Sequence, residues 1–196
     1  IYEKLIYDGE EHVSIASLGE DIFKQTIVIN GVSKSYAMTG WRIGYTAGPT
    51  EVIKAMSSLQ SQVASGSNSI AQYAAEEALR SPKGPEEIER MHKAYDERRR
   101  HIVSRLNAID GLKCVMPKGA FYVMVDMSAL IGKHLGDRKI AGSMDFADML
   151  LENANVALTP GTAFCAEGYC RISYATSMEQ IDKGVDRIEH FVNSLV

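Results

Sequence analysis

Cysteine is scarce in this sequence, neither sign of charge dominates it, and no stretch is continuously apolar. The three cysteines, Cys114, Cys165 and Cys170, are odd in number and show no CxxC spacing. That pattern excludes a disulfide framework and a zinc site of the usual spacing. The five histidines form no HExxH or paired metal-ligand motif, so no metal is expected. A net charge of -4 removes the basic excess that nucleic-acid domains carry, and no nucleic-acid partner is expected. No apolar run is long enough to cross a bilayer, and no charged start followed by an apolar core is present. A membrane partner is therefore not expected, and a reducing cytoplasm is the expected compartment. Internal repeats and low-complexity tracts are also missing. What remains, 45% hydrophobic and 23% charged residues over 196 positions, suffices to bury a core.

Read along its length, the chain alternates strands and helices. QTIVIN (Gln25–Asn30) is a β-branched run closed by Asn30 and Gly31, which predicts a buried strand and a turn. RIGYTAG (Arg42–Gly48) predicts a second strand, stopped by Gly48 and Pro49. Thr50 is expected to cap a helix running to Leu59, and the Ala-rich Ser69–Leu79 predicts another. SPKGP (Ser81–Pro85) breaks the pattern. A long helix over roughly Glu86–Ile109 follows, with acids in its first turn and Arg98, Arg99, Arg100 and Arg105 towards its end, as the helix dipole favours. The run Arg98–Arg100 reads as a solvated face. Beyond Gly111, the strand-like LKCVMP, AFYVMVDM, NVALTP and YCRISYA are joined by helices expected at Asp145–Asn153 and Met178–Leu195. This predicts an α/β protein in three parts: residues 1–84, a connecting helix 85–110, and a smaller α+β domain 111–196.

SKSYAMTGWRIG (Ser33–Gly44) concentrates the chemistry. Lys34 follows a strand, Arg42 stands eight positions later, and no acid lies between them. Eight residues fully extended reach roughly 26–29 Å, so the two cations serve one small ligand only if the segment folds back, and Thr39–Gly40 is where it can. An amine at the carboxyl end of a parallel strand sits where α/β proteins keep their ligand crevice. It becomes a Schiff-base nucleophile where burial or a nearby cation favours its neutral form. A guanidinium offers a planar fork for phosphate or carboxylate. Together they suit an aldehyde cofactor bearing a phosphate. Spacing alone equally allows two ordinary loop cations, and favours that plainer reading.

NGVSKSYAMTGWRIGY (Asn30–Tyr45) resembles the lysine segment of the class I and II pyridoxal-phosphate aminotransferases, in particular the bacterial aspartate aminotransferase-like branch. IYEKLIYDG at Ile1, SIAQ at Ser69, KGAFYV at Lys118, VALTPGTAF at Val156 and GYCRISYATS at Gly168 are similar to that family in the same order. The resemblance implies a pyridoxal 5'-phosphate enzyme of that fold, with a remnant of the large cofactor domain, a long connecting helix and the small domain. It implies that Lys34 forms the Schiff base with the cofactor and then shuttles a proton as general base and acid. By the same resemblance Arg42 clamps the cofactor phosphate, Tyr2 hydrogen-bonds the ring's phenolic oxygen, and Arg171 grips the substrate α-carboxylate. Taken alone, Tyr2 also reads as a residue packed at a strand end, and Arg171 as a surface ion pair on an edge strand. Alternation puts Arg171 on one face with Tyr169 and Ser173, opposite Cys170 and Ile172. Tyr36, Trp41, Phe121, Tyr122 and the methionines read first as packing.

The reaction so implied moves an amino group from an α-amino acid, aspartate-like or aromatic, to a 2-oxo acid such as 2-oxoglutarate. A carbon–sulfur lyase of the same fold and a non-catalytic binding module are the alternatives. The family's Asn-Pro-like turn before SIAQ is replaced by SGSNSIAQ (Ser65–Gln72), which puts contacts from that loop in question. The chain opens on Ile1 as mid-protein text, so a C-terminal fragment is expected, with roughly as much chain again before it. That other part would hold the aspartate at the pyridine nitrogen, an asparagine on the phenolic oxygen, a stacking aromatic and a glycine-rich phosphate loop. The fragment alone is expected to be inactive, and the full-length protein to be a homodimer.

Overall fold

The computed structural model describes residues 1–196, which form two compact units, 1–92 and 93–196. The first unit opens on an irregular segment in which Leu5 and Tyr7 are buried. Helix α1 (Glu20–Lys24) leads to an antiparallel pair, β1 (Val28–Gly31) with β2 (Gly44–Ala47), in register Val28↔Ala47 to Gly31↔Gly44. Helices α2 (Thr50–Ala64) and α3 (Ser69–Arg80) follow, and α4 (Gly84–Asn107) carries the chain into the second unit.

Three expectations change here. The strand predicted at Gln25–Asn30 begins only at Val28, because the amides of Gln25 and Thr26 close α1 by donating to the Ile22 and Phe23 carbonyls. That strand is not the buried parallel strand expected: it pairs antiparallel, and Ile29 is 75% exposed. Thr50 is the first helical residue rather than the cap, Pro49 occupying the cap position with no side-chain bond, and α2 runs on to Ala64. By contrast α3 is capped as helix chemistry dictates, the Asn68 carboxamide oxygen accepting from the Ala71 amide at 3.0 Å. Its Ala71 and Ala75, one turn apart, pack on Val32 and Ile43 to form the small core of this unit.

The second unit is a four-stranded antiparallel sheet in the order β3 (Lys113–Cys114), β4 (Tyr122–Asp126), β8 (Tyr169–Ser173) and β7 (Thr159–Pro160). A two-stranded hairpin, β5 (His134–Leu135) with β6 (Arg138–Lys139), was not foreseen. Helix α5 (Ser143–Ala154) has no cap from Gly142, and instead the Glu167 carboxylate accepts from the Ser143 amide at 2.6 Å. Helix α6 (Met178–Asn193) is capped by Ser177 and buries Ile181, Val185, Ile188, Phe191 and Val192 along one stripe. Each such buried side chain contributes roughly 1.5–3 kcal/mol. Val123 and Val125 of β4 and Cys170 of β8 supply the sheet's inner face, and burial pushes the Cys170 thiol up to about 12 and that of Cys114 to about 11.

The arginine run of α4 is a solvated face only in part: Arg100 is exposed and Arg98 half-buried. Arg99 is 0% exposed, with Ile102, Val103 and Leu106 on the same buried side. No helix is long and apolar enough to cross a membrane.

Candidate active site

The hinge of the first unit is the pairing of Gly31 with Gly44. A Cβ on Gly31 would stand 2.9 Å from the Ile43 carbonyl oxygen, so a side chain there would force the two strand ends apart. Beyond this point the chain turns, the Tyr36 amide donating to Val32 and the Ala37 amide to Lys34. It then makes one 3-10 turn at Thr39–Trp41 and returns through Arg42 to β2. Ala37 (φ 53°) and Arg42 (φ 54°) both adopt left-handed backbone, a conformation that costs a non-glycine residue about 1–2 kcal/mol. Two such residues persist in one loop because it is pinned at both ends: Val32 and Ile43 are buried, and Tyr36 and Met38 pack against them. The segment between Lys34 and Arg42 thus folds back on itself, turning at Thr39–Trp41.

Lys34 lies half-buried in this turn, its Nζ 6.0 Å from the centre of the Tyr2 ring. Tyr2 is held because its segment is tied down on both sides. Its carbonyl accepts from Leu5 at 2.8 Å, and Asn30 of β1 donates to the Glu3 carboxylate at 2.7 Å. Tyr7 stacks on His92 with ring centres 5.0 Å apart, and His92 Nε2 donates to the Ile6 carbonyl at 2.7 Å. On the β2 side, burial pushes the Tyr45 phenol above its ordinary value, and the charge of Glu3 and the neighbouring Tyr36 push it further. Arg42 is exposed, and of its guanidinium only Nη1 is spent, donating to the Thr39 carbonyl at 2.7 Å. The remaining donors have no partner within the chain. Lys34, Tyr2 and Arg42 are therefore an amine, a phenol and a guanidinium carried by one pinned loop and the segment beside it.

Ser65–Gln72, the loop that departs from the family pattern, uses its polar groups locally. Asn68 caps α3, and the Gln72 carboxamide donates to the Ser67 carbonyl at 2.8 Å.

Arg171 belongs to the second unit. It is not on an edge strand, since β8 lies between β4 and β7, with Met124 and Thr159 directly opposite Arg171. It is not in an ion pair either. Its guanidinium carbon sits 4.4 Å from the ring centre of Tyr122 and 4.4 Å from that of Phe164. The inward neighbour Cys170 is buried, so alternation along β8 runs as the sequence indicates. Tyr122, read first as packing, and Phe164, which reading along the chain missed, are the residues whose rings meet Arg171. Tyr122 reaches Arg171 diagonally across the β4–β8 pair, and such a contact is invisible until the register is known.

Residues 1–188 match the family described as Aminotransferase class I and II. The aspartate aminotransferase of Bacillus sp. (strain YM-2) is 48% identical over 98% of this chain and 47% of its own length. Among solved structures, the aspartate aminotransferase from Rhizobium meliloti superposes with a TM-score of 0.94 at 43% identity, covering 100% of this chain and 49% of that one. An aromatic aminotransferase from Pyrococcus horikoshii OT3 superposes at 0.89 with 40% identity, over 98% and 49%. The chain therefore spans about half the length of the relatives it matches. By sequence along nearly all of its length and by fold, it belongs to the class I and II aminotransferase family.

Proposed function

We propose that this chain is the C-terminal half of a pyridoxal 5'-phosphate-dependent aminotransferase, which moves the amino group of an aspartate-like or aromatic α-amino acid to a 2-oxo acid. The observation that carries the proposal is the pinned loop: an amine at Lys34, the Tyr2 ring 6.0 Å from it, and an exposed guanidinium at Arg42 with unspent donors. This donor set fits a molecule with an aldehyde, an acidic ring hydroxyl and a phosphate. When bound, that cofactor supplies an electrophilic carbon and a ring that accepts electrons. Lys34 Nζ would be the group that holds the cofactor covalently, and its free amine would carry the proton from the substrate Cα to the carbon that came from the aldehyde. The Tyr2 hydroxyl donates to the ring oxygen. Arg42 holds the phosphate, and the Arg171 fork orients the substrate α-carboxylate. The names of the relatives, aspartate, aspartate/prephenate and aromatic aminotransferases, support the substrate class.

The same reading makes the isolated half inactive. Helix α2 buries no residue, and Val52, Met56, Leu59 and Val63 form an exposed apolar stripe along it, the last 74% exposed. A stripe of that kind calls for covering chain. The whole protein is proposed to be a cytoplasmic homodimer.

The test is covalent trapping. The whole protein supplied with pyridoxal phosphate is expected to show a visible absorption band, and borohydride is expected to fix the adduct on Lys34. Lys34→Ala abolishes both, and the 196-residue chain alone forms no oxo acid from any amino donor. A colourless whole protein, or an adduct on another residue, rejects the assignment.

A further inference from the structure

Most of the arginines in this chain are spent on oxygen acceptors. Arg80, Arg90, Arg99, Arg100, Arg105 and Arg138 each meet a carboxylate. Arg42 and Arg187 donate to backbone carbonyls. Arg171 does neither, and has two aromatic rings, Tyr122 and Phe164, each centred 4.4 Å from its guanidinium carbon. Arg98 also faces a ring, but a single one and at 5.6 Å. Contact with an aromatic ring engages the π system of a guanidinium and leaves its five N–H donors, which point outward in its plane, unspent. Two ring contacts with the donors left open suit a fork that must be held in place before its ligand arrives.

Neither ring is there by accident of packing. Tyr122 projects from the same face of β4 as Met124, which stands opposite Arg171. It is braced from behind by Phe121 at 4.8 Å, and Phe121 stacks on Tyr95 of α4 at 5.5 Å. Phe164 ends the one-turn helix Gly161–Phe164, drawn in by the Ala166 amide donating to the Gly161 carbonyl at 2.9 Å. At Gly161 a Cβ would fall 1.9 Å from the Ala166 carbonyl oxygen and 2.4 Å from that of Tyr169. Only glycine permits so close an approach to β8. Cys165, in left-handed backbone at φ 55°, then turns the chain away. Phe164 is 42% exposed, so what holds it over Arg171 is this turn rather than burial in a core.

We propose that Tyr122 and Phe164 are positioning residues for the substrate α-carboxylate, acting through Arg171 by clamping its guanidinium plane. The inference rests on the reading of Arg171 given above. The clamp holds the fork alike before and during the chemical step, so its loss weakens binding uniformly: KM rises and kcat stays. Replacing a ring by leucine keeps apolar volume and removes the π face. For the whole protein, Phe164→Leu or Tyr122→Leu is expected to raise KM for the amino donor about fivefold and the double variant about twentyfold, the scale of a partly desolvated cation–π contact. Phe164→Tyr and Tyr122→Phe, which keep the ring, restore the KM. Arg171→Lys is the control for the underlying reading, and is expected to raise KM more than either ring variant. If Arg171→Lys leaves KM unchanged, the carboxylate assignment itself fails. If it raises KM while Phe164→Leu does not, or if Phe164→Leu lowers kcat with KM intact, the clamp is refuted and the assignment of Arg171 stands. Phe164 carries the decision because its exposed position makes its variant the one least apt to disturb folding.

Discussion

Arg99→Ala is expected to be among the most damaging single changes in the second unit. The side chain is fully buried, its Nε and Nη2 donating to Asp96 Oδ1 at 2.8 and 2.6 Å and its Nη1 to the Pro117 carbonyl at 2.6 Å. Truncation removes two buried methylenes, Cγ and Cδ, at about 0.8 kcal/mol each. It also strands the Pro117 carbonyl, at about 1–3 kcal/mol. Against this, a charge no longer has to be kept out of water. Breaking one side of a buried pair costs about 3–5 kcal/mol on balance, and that is the expected loss. Arg99→Met keeps most of the stem and strands the same carbonyl, so about 1–3 kcal/mol is expected there. Asp96 shows the coupling from the other side: burial pushes its carboxyl up, but hydrogen bonds from Arg100 and Arg99 and their charges outweigh it, and the carboxyl ends below its ordinary value. Urea unfolding followed by far-ultraviolet circular dichroism measures both variants. Stability of Arg99→Ala within about 1 kcal/mol of the parent would mean that desolvation of the guanidinium cancels its bonds, and the reasoning would be wrong. The site has a stake in the outcome, since Pro117 begins the run Lys118–Phe121 that leads into Tyr122.

The α4–α6 contact should be acid-sensitive. His101 Nε2 donates to Asp182 at 2.6 Å, and that bond, helped by Arg105, holds the Asp182 carboxyl below its ordinary value. The unfolded chain then takes up the proton first as pH falls, so the stabilisation is complete well above pH 4 and is lost below it. Asp182→Asn should lower the urea midpoint at neutral pH and flatten its fall between about pH 5 and 3, and parallel curves would contradict this. Ser35→Ala should not destabilise the chain and is expected to stabilise it by up to about 1 kcal/mol, because the Ser35 hydroxyl is 2% exposed and has no hydrogen-bond partner. A loss larger than about 0.5 kcal/mol in thermal or urea unfolding would show that the hydroxyl is bonded after all.

Helices with caps and stripes could be read from the chain. Ser69–Leu79 differs by one residue from the observed α3, and Met178–Leu195 by two from α6, because Asn68 and Ser177 start them and regularly spaced apolar residues continue them. Strand ends were less legible. Gln25 and Thr26 have strand-forming neighbours but spend their amides on α1, and nothing in Ile27–Ile29 tells a parallel buried strand from an antiparallel exposed one. A reversal near Thr39–Gly40 was legible only on the condition that Lys34 and Arg42 serve one ligand, and the chain does turn there, at Thr39–Trp41. The ring pair around Arg171 could not follow from any local rule. It depends on a diagonal across two strands 49 positions apart in sequence, Tyr122 to Arg171, and on a close approach at Gly161.

The arginines show why residue type alone underdetermines function here. Arg99, Arg42 and Arg171 carry the same group, and the sequence around each is polar or aromatic enough to suit several roles. Their neighbours separate them. Arg99 is enclosed and donates to Asp96 and Pro117, bonds that tie α4 to the chain leading into β4. Arg42 gives one donor to the carbonyl three residues back, which fixes its direction and leaves the rest facing solvent beside Lys34's turn. Arg171 has two aromatic rings at 4.4 Å and spends no donor within the chain. A cation in that last condition is costly unless an anion visits it, because stacking compensates only part of the hydration that the guanidinium gives up. Arg42 and Arg171 keep donors unspent within the chain, and under the proposed function a phosphate would take those of the first and a carboxylate those of the second.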